Sequence, residues 1–600
     1  MLVAIGAGYS FLLNIIITFY AGELVWRERS LRLEGVVDAL PLSTWSRLLA
    51  KLGALWVAIV VFIAVGMIAL IGYQLSKGYT NLEPVLYLQG LVVVCLPFLL
   101  TAVLAVFFQA IANQKFVSYL LMVLYLVATA MAGTLHFNHY LYRYAGAPSA
   151  PYSDMNGWGH FAAPLFWFNL YWTFAAGALA CLACAWWVRG YETRWRPRLR
   201  LARARLQGFA VLPLILALVG FVATGSWYEK RYRQYRDVVQ PRIVALRANV
   251  DIYPRARRAS IRGTYRLANR SASPIDTLHI AISPRLTNVK LTLPPHRVEV
   301  EDRRLGQGIY KLATPIAPGQ EIDFGFHLEI ANSGFVNDDP DNTVVENGTF
   351  FHTRQLPSLG YLDYRELGDL AQRRRQGLPP SSRMARIDDQ QAPVFNSISR
   401  DADWLDFDAT ISTDADQIAL APGYLQREWT EGGRRYFHYR TESPVPKFFA
   451  FLSARYAVRR DAWRGVRIEI FYHPRHEYNV GRMVDAVKKT LAYMTSNFTP
   501  YQDRQVRIAE FPRYARLAGS FPGIIPFSES IGFIARLNGR RRDRLSVLRD
   551  RARSGASDRR LDRGRRLRAD LASGRWRHGH RALSAQAARD RTRRHGHRHR

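Results

Sequence analysis

Up to Trp227 the chain alternates long apolar runs with short charged ones. Six runs are apolar enough to cross a bilayer: Ala4–Tyr20, Leu49–Leu75, Leu86–Ala112, Phe116–Leu135, Phe161–Val188 and Phe209–Trp227. A span needs roughly 20 apolar residues. In lipid a backbone can satisfy its hydrogen bonds only internally, so each run is predicted to be a helix. A cleavable signal peptide would account for the first run alone.

From about Arg247 the period changes to two. Ile261, Gly263, Tyr265 and Leu267 alternate with polar residues and end at Asn269-Arg-Ser-Ala-Ser-Pro274. Ile275–Ser283, Val289–Leu293 and Ile322–Ile330 read as further strands, the last after the turn Ala317-Pro-Gly319. A second β-rich stretch covers Trp404–Tyr456, and Val466–Tyr472 is one more strand. Short strands separated by turn residues predict an antiparallel β-domain. Val480, Val484, Val487, Leu491 and Met494 then recur at helical spacing. They predict one amphipathic helix over Asn479–Asn497, packed on the preceding sheet.

Charge orients the membrane half. The loop after the first run carries Arg27, Arg29, Arg32, Arg47 and Lys51, and the loop after the fifth holds seven Arg between Arg189 and Arg205 against Glu192 alone. The short third turn has Lys115, whereas the alternate loops offer only Lys77 and Arg143. Cation-rich loops stay cytoplasmic, which places the N-terminus and everything beyond Trp227 in the periplasm of an inner membrane. An outward N-terminus implies further helices upstream of Met1.

The three cysteines, Cys95, Cys181 and Cys184, lie in apolar runs, so no disulfide framework holds the soluble part. Cys181-x-x-Cys184 sits among Ala and Leu beside Trp186 and Trp187 and reads as helix packing rather than a metal or redox pair.

Gly22-Glu-Leu-Val-Trp-Arg-Glu-Arg29, continued by Asp38-Ala-Leu-Pro41, reads as a charged amphipathic stretch lying at the cytoplasmic interface. It is either a positive-inside anchor or an element that docks on a partner. These residues resemble the second permease half of bacterial ABC-type exporters fused to an aminopeptidase-like domain. That resemblance implies that Glu23, Arg27, Glu28 and Arg29 couple to an ATPase subunit, and that a second permease half completes the transporter. The chain has no Gly-x-x-x-x-Gly-Lys-Ser/Thr loop, so ATP hydrolysis would have to come from the partner.

Asp251-Ile-Tyr-Pro254, Asn347-Gly-Thr-Phe350, Pro357-Ser-Leu-Gly-Tyr361, Ala421-Pro-Gly-Tyr424, Leu452-Ser-Ala-Arg-Tyr456 and Glu510-Phe-Pro-Arg-Tyr514 resemble the aminopeptidase-like half of the same fusions. More distantly they are similar to zinc aminopeptidases of the gluzincin class. Those enzymes carry Gly-x-Met-Glu-Asn on an edge strand, where the Glu holds the substrate's free amine. Ser520-Phe-Pro-Gly-Ile-Ile-Pro-Phe-Ser-Glu-Ser530 stands in the corresponding place. The resemblance makes Glu529 the amine anchor and Asn347 a second polar contact to the amine. Pro526-Phe-Ser528 replaces Gly-x-Met, and Ser530 replaces Asn. Without the resemblance, Glu529 would read as a surface or capping carboxylate.

Catalytic zinc in that class needs His-Glu-x-x-His, which puts two imidazoles one helical turn apart with a carboxylate between them to activate water. The chain contains no such motif. His473-Pro-Arg-His476 has the wrong spacing and reads as a strand-end loop. No metal ligand and no cofactor are therefore assigned to this chain, although the intact family uses zinc. His578, His580, His595, His597 and His599 offer only adventitious metal binding.

Gly539–Arg600 differs in kind. It holds 22 Arg and 6 Asp and lacks Ile, Phe, Tyr, Lys, Glu, Asn, Pro, Met and Cys. Such a segment cannot bury a core and is predicted to be disordered. A basic arm for nucleic acid fits poorly with a periplasmic location. A shifted reading frame fits better. Asp543–Ser557 can be written in synonymous codons that, read one base later, spell Ile-Asp-Tyr-Pro-Phe-Tyr-Val-Thr-Ala-His-Glu-Val-Ala-His-Gln. That is a zinc-helix sequence at about the family's distance from Glu529, and it places the shift near Asn538–Gly539.

The expected architecture is a polytopic α-helical membrane domain (1–228), a linker (229–247), an aminopeptidase-like β-domain (248–403), a truncated thermolysin-like α/β domain (404–538) and the tail (539–600). The expected function is a multi-pass inner-membrane permease/aminopeptidase fusion in the lipid bilayer, stopped before its zinc motif and without peptidase activity. The other reading is a non-enzymatic exporter permease subunit with a periplasmic scaffold or substrate-handling domain.

Overall fold

The computed structural model describes residues 2–33, 36–37, 43–76, 78, 80, 82–132, 140–187, 225–331, 341–368, 370–380, 399–515 and 517–535. The Arg-rich tail, Asp38–Pro41, the Arg189–Arg205 loop and nearly all of the sixth apolar run lie outside the described residues.

The amino-terminal part is helical: α1 (Leu2–Ser30), α2 (Thr44–Ser76), α3 (Pro84–Ala112), α4 (Lys115–Met131) and α5 (Ala162–Trp186). Three helices, Thr44–Ser76, Pro84–Ala112 and Gly159–Trp186, are long and apolar enough to cross a membrane, and α4 is a shorter apolar helix. The charged stretch after the first apolar run is not a separate interface helix. No proline stands between Tyr20 and Arg29, and the helix continues through Gly22 to Ser30.

α3 packs against α1, α2, α4 and α5. Pro84 opens it in the first turn, where a missing N–H costs nothing, and Asn113 closes it in the left-handed conformation (φ 51°). On α2, Leu48, Leu52, Leu55, Ile59 and Ile63 are buried, while Val57, Val61, Val65 and Ile68 are more than half exposed. An outward apolar stripe of this kind would be a liability in water and suits a lipid environment.

The soluble part is β-rich. The largest sheet holds β1 (Arg242–Tyr253), β2 (Arg258–Ala268), β4 (Thr287–Thr292), β7 (Glu321–Ala331), β10 (Ala402–Asp414), β12 (Tyr424–Glu431) and β13 (Arg434–Arg440), in the order β12-β13-β10-β1-β2-β7-β4, with β14 (Val445–Pro446) on β10. β3 (Ile275–Ala281), β5 (His296–Asp302), β6 (Gln307–Ile316) and β9 (Ser358–Leu359) form a second sheet. β8 (Thr349–His352), β11 (Ile418–Leu420) and β15 (Ala450–Ala454) form a third.

Two expected limits shift. β1 begins inside the expected linker, and α6 (Gly225–Tyr232) straddles the expected boundary at its start. Glu229 on α6 is fully buried and accepts two hydrogen bonds from Arg373 of α7 (Leu370–Arg375), at 2.5 and 2.9 Å. β10, straddling the expected 403/404 boundary, pairs in parallel with β1, so one sheet serves both expected domains. Backbone pairing of this kind leaves no trace in local composition.

The fourth sheet matters most for the site. β16 (Ala457–Trp463), β17 (Val466–Tyr472), β18 (Gln505–Phe511) and β19 (Ile525–Ser528) lie side by side, with β17, β18 and β19 mutually parallel. α8 (Val480–Asn497) forms the β17–β18 crossover, as parallel strands require. Its Val480, Val484, Val487, Leu491 and Met494 are buried against this sheet's hydrophobic core.

Candidate functional site

The carboxyl ends of adjacent parallel strands point to one edge of a sheet, which is where α/β folds gather their ligand sites. Here that edge collects three groups. β17 runs into a tight 3-10 turn, Pro474–Asn479, that carries His476. β18 carries Glu510 as its penultimate residue, and β19 delivers Glu529 one residue past its last. All three side chains are buried, with Glu510 and Glu529 fully so.

The geometry is tight. Glu510 accepts the His473 amide at 2.6 Å through Oε2 and lies 2.5 Å from His476 Nδ1 through Oε1. Tyr456 donates its hydroxyl to the Glu510 carbonyl at 2.7 Å, which fixes the strand end. Glu529 Oε1 accepts the Arg513 amide at 3.0 Å, while its buried Oε2 has no hydrogen-bond partner among the described residues. One ligand atom from each of His476, Glu510 and Glu529 falls within 4.8 Å of the others.

A fourth group arrives from the membrane half. The segment between α4 and α5 folds a turn, Ser153–Gly157, closed by amide hydrogen bonds in both directions. Asp154 Oδ2 lies 3.2 Å from His476 Nε2. Met155 is buried in the main β-core, and its carbonyl accepts the Asn347 side-chain amide at 2.7 Å. Asn156 donates to the Tyr514 hydroxyl at 2.9 Å.

Electrostatics follow from burial and these contacts. Burial alone would lower the His476 pKa, but hydrogen bonds and charge from Asp154 and Glu510 outweigh it and push it up to about 9. The imidazole is thus held as a cation between two carboxylates. Burial, with the charges of Asp154 and Glu510, pushes Glu529 up to about 7, against the pull of the Arg513 amide and the Ser153 hydroxyl. His473, buried beside the charge of His476, is lowered to about 4.

The substrate-binding residues expected from the sequence, Glu529 and Asn347, sit on either side of this turn. Asn347 spends both ends of its amide on protein, donating to Met155 and accepting from the Arg455 amide at 2.8 Å. Glu529 is neither a surface nor a capping carboxylate, because β19 delivers it into the interior. The expected coupling residues lie elsewhere. Glu23 pairs with Lys115, Glu28 with Lys51 at 2.8 Å, and Arg29 donates to Asn113 at 2.8 Å, while Arg27 is exposed. α4 runs between that end of the bundle and the Ser153–Gly157 segment, and a helix of 17 residues is about 25 Å long.

Sequence reasoning assigned no metal ligand and left His476 in a loop. The fold instead joins His476 to Glu510 and Glu529. No local spacing could have shown this, because His476 and Glu510 are 34 residues apart and meet only through the β17–β18 pairing. The cluster does not suit the catalytic zinc of a gluzincin, which needs two imidazoles on one helix face with a carboxylate between them.

No family model matches this chain, and no curated protein matches it. Among solved structures it is similar to an M1 zinc metallopeptidase variant from Deinococcus radiodurans, at 14% identity and a TM-score of 0.33. The neighbour is distant. The likeness covers 51% of this chain and 63% of that one, so the chain spans less than two thirds of that protein's length.

Proposed function

We propose that this chain is a membrane-anchored protein built like the permease–aminopeptidase fusions, whose soluble half recognises a cationic amino terminus and does not hydrolyse the peptide. The observation that carries this reading is Glu529: a fully buried carboxylate with one oxygen unpartnered among the described residues, at the carboxyl edge of a parallel sheet. Burying a carboxylate without a full complement of partners is costly, and a cationic ligand would offset that cost. The turn Ser153–Gly157 faces the same cluster, so binding would require it to move aside.

The test uses full-length protein in detergent with a chelator present. A peptide with a free amino terminus should raise the unfolding temperature, and its N-acetylated form should not. Glu529→Gln should weaken binding by about 10- to 100-fold, as for loss of a charged hydrogen bond. Equal binding of both peptides would overturn the reading.

The reading also takes the Arg-rich tail as the product of a shifted frame near Asn538–Gly539, in place of the helices that carry zinc in the parent family. Sequencing the genomic locus tests this. A clean open frame with no peptidase remnant downstream would refute it.

The second reading, an exporter permease subunit with a scaffold domain, is favoured by one observation. Arg27 stays exposed at the end of α1 while its neighbours Glu23, Glu28 and Arg29 are engaged within the bundle. Co-purification of an ATPase subunit whose activity the chain stimulates would support it.

A further inference from the structure

We propose that His476, Glu510 and Glu529 form a binding site for a divalent first-row transition cation, with Asp154 of the membrane half orienting the histidine. The inference takes from the preceding reading only that Glu529 faces a cation.

The ligand set comes first. One imidazole nitrogen and two carboxylate oxygens from three different strand ends approach within 4.8 Å of one another, all on buried side chains. A mixed N/O set without thiolate suits zinc, manganese or ferrous iron rather than a soft cuprous ion. Zinc keeps its N and O ligands about 2.1 Å away, so tetrahedral ligand atoms stand about 3.3 Å apart. Reaching that span means opening the 2.5 Å contact between His476 Nδ1 and Glu510 Oε1 by less than an ångström and drawing in ligand atoms that stand up to 4.8 Å apart by up to about 1.5 Å.

A second observation points independently to a ligand. Glu529 Oε2 is fully buried and makes no hydrogen bond of normal geometry among the described residues; the carboxyl is held by the Arg513 amide on Oε1 and feels the nearby Ser153 hydroxyl, and neither supplies a counter-charge. Buried carboxylate oxygens are nearly always paired, and an unpaired one calls for an ion or a donor at that point.

The outer arrangement also fits. Metal-binding histidines usually direct their second ring nitrogen to a carboxylate, which fixes the ring and its tautomer. Asp154 Oδ2 stands 3.2 Å from His476 Nε2 and leaves Nδ1 facing Glu510, where a bound metal ion would take the place of the Nδ1 proton and release it to solvent. Asp154 is therefore a positioning residue supplied by the segment between α4 and α5, and a cation here would tie the membrane half to the soluble half. All three ligands are buried, so a cation here is shielded from bulk solvent, and three protein ligands leave a fourth position for a water or another donor.

The experiment is metal analysis of the full-length chain, purified in detergent without a histidine tag or chelator, then loaded with zinc or manganese and gel-filtered. The expected result is one equivalent of metal, whose X-ray absorption spectrum shows only N/O neighbours with a single imidazole. Glu529→Gln should abolish retention. Asp154→Asn should weaken affinity 10- to 100-fold, as about expected for a lost outer-shell partner. Should Glu529→Gln fail to fold, the wild-type chain stripped with chelator and reloaded gives the same test through its unfolding temperature and spectrum. Failure to retain metal after loading overturns the proposal. So does a spectrum with several imidazoles, which would place the ion on His578, His580, His595, His597 and His599. The peptide experiment is run under chelation, so either idea can fail without the other.

Discussion

Asp154 Oδ2 lies 3.2 Å from His476 Nε2, although 322 residues separate the two in sequence. The contact joins a turn between two membrane-half helices to the carboxyl edge of a soluble parallel sheet. Glu83–Arg475 at 3.3 Å and His160–Asn342 at 2.7 Å repeat that junction nearby. The two halves are therefore connected through specific polar contacts, from exposed to half-buried, as well as through the chain between them.

Replacing Asp154 by Asn keeps its shape and removes its charge. The Ser153–Gly157 turn should then exchange its amides faster, and the soluble half should lose about 1 kcal/mol, since Asp154 is partly exposed and solvent screens its pairing with the buried His476. Hydrogen-exchange mass spectrometry on the full chain checks this. Unchanged protection across the turn would show that Met155 packing alone holds it.

Lys447 and Asp401 form an ion pair with both side chains buried. Asp401 also accepts the Leu359 amide at 2.8 Å, so it ties β9 to the start of β10. Lys447→Met would strand that carboxylate, at a cost of about 3–5 kcal/mol. Lys447→Met combined with Asp401→Leu should recover a good part of the loss. Denaturant unfolding of the single and double variants tests the claim, which fails if the double variant is no more stable than the single.

His352 gives the soluble half an acid-sensitive point. Burial, with help from Arg354, lowers its pKa to about 4 from an ordinary value of 6.5. Its Nδ1 accepts the Arg354 amide at 3.4 Å as the cap of a short turn, and a proton there would turn the acceptor into a donor. The unfolded chain binds this proton more readily than the folded one. Its contribution is therefore complete above pH 6.5 and lost as pH falls from 6.5 towards 4, on the order of 3 kcal/mol. His352→Gln should flatten that limb of the pH–stability curve. An identical slope in wild type and variant would remove His352 as the cause.

Arg27 and Glu28 separate partner coupling from bundle stability. Glu28→Gln breaks the half-buried pair with Lys51 and should lower the unfolding temperature of the membrane half. Arg27→Glu, on an exposed side chain, should leave that temperature unchanged while reducing recovery of an ATPase partner. If both variants lower stability equally, Arg27 acts within the fold and not towards a partner.

The sequence by itself determined the elements. Five of the six apolar runs fall on described helices, three of them long and apolar enough to cross a membrane, and a helix is the form in which such a run satisfies its own backbone. Period two marked the β-domain, and the 4-3-4-3 spacing marked α8 and its buried face. These are local properties, and local spacing reports them directly.

Other features were decided only by tertiary structure. α1 runs unbroken through its charged end, β1 starts within the expected linker, and one sheet spans the expected domain boundary. The candidate site is the clearest case. Glu529 could be singled out by resemblance, but its burial and unpartnered oxygen could not. His476, Glu510 and Glu529 meet because three parallel strands end at one edge, and Asp154 joins them across most of the chain. Hydrophobic periodicity records which side of an element is buried, but not which distant side chain it is buried against.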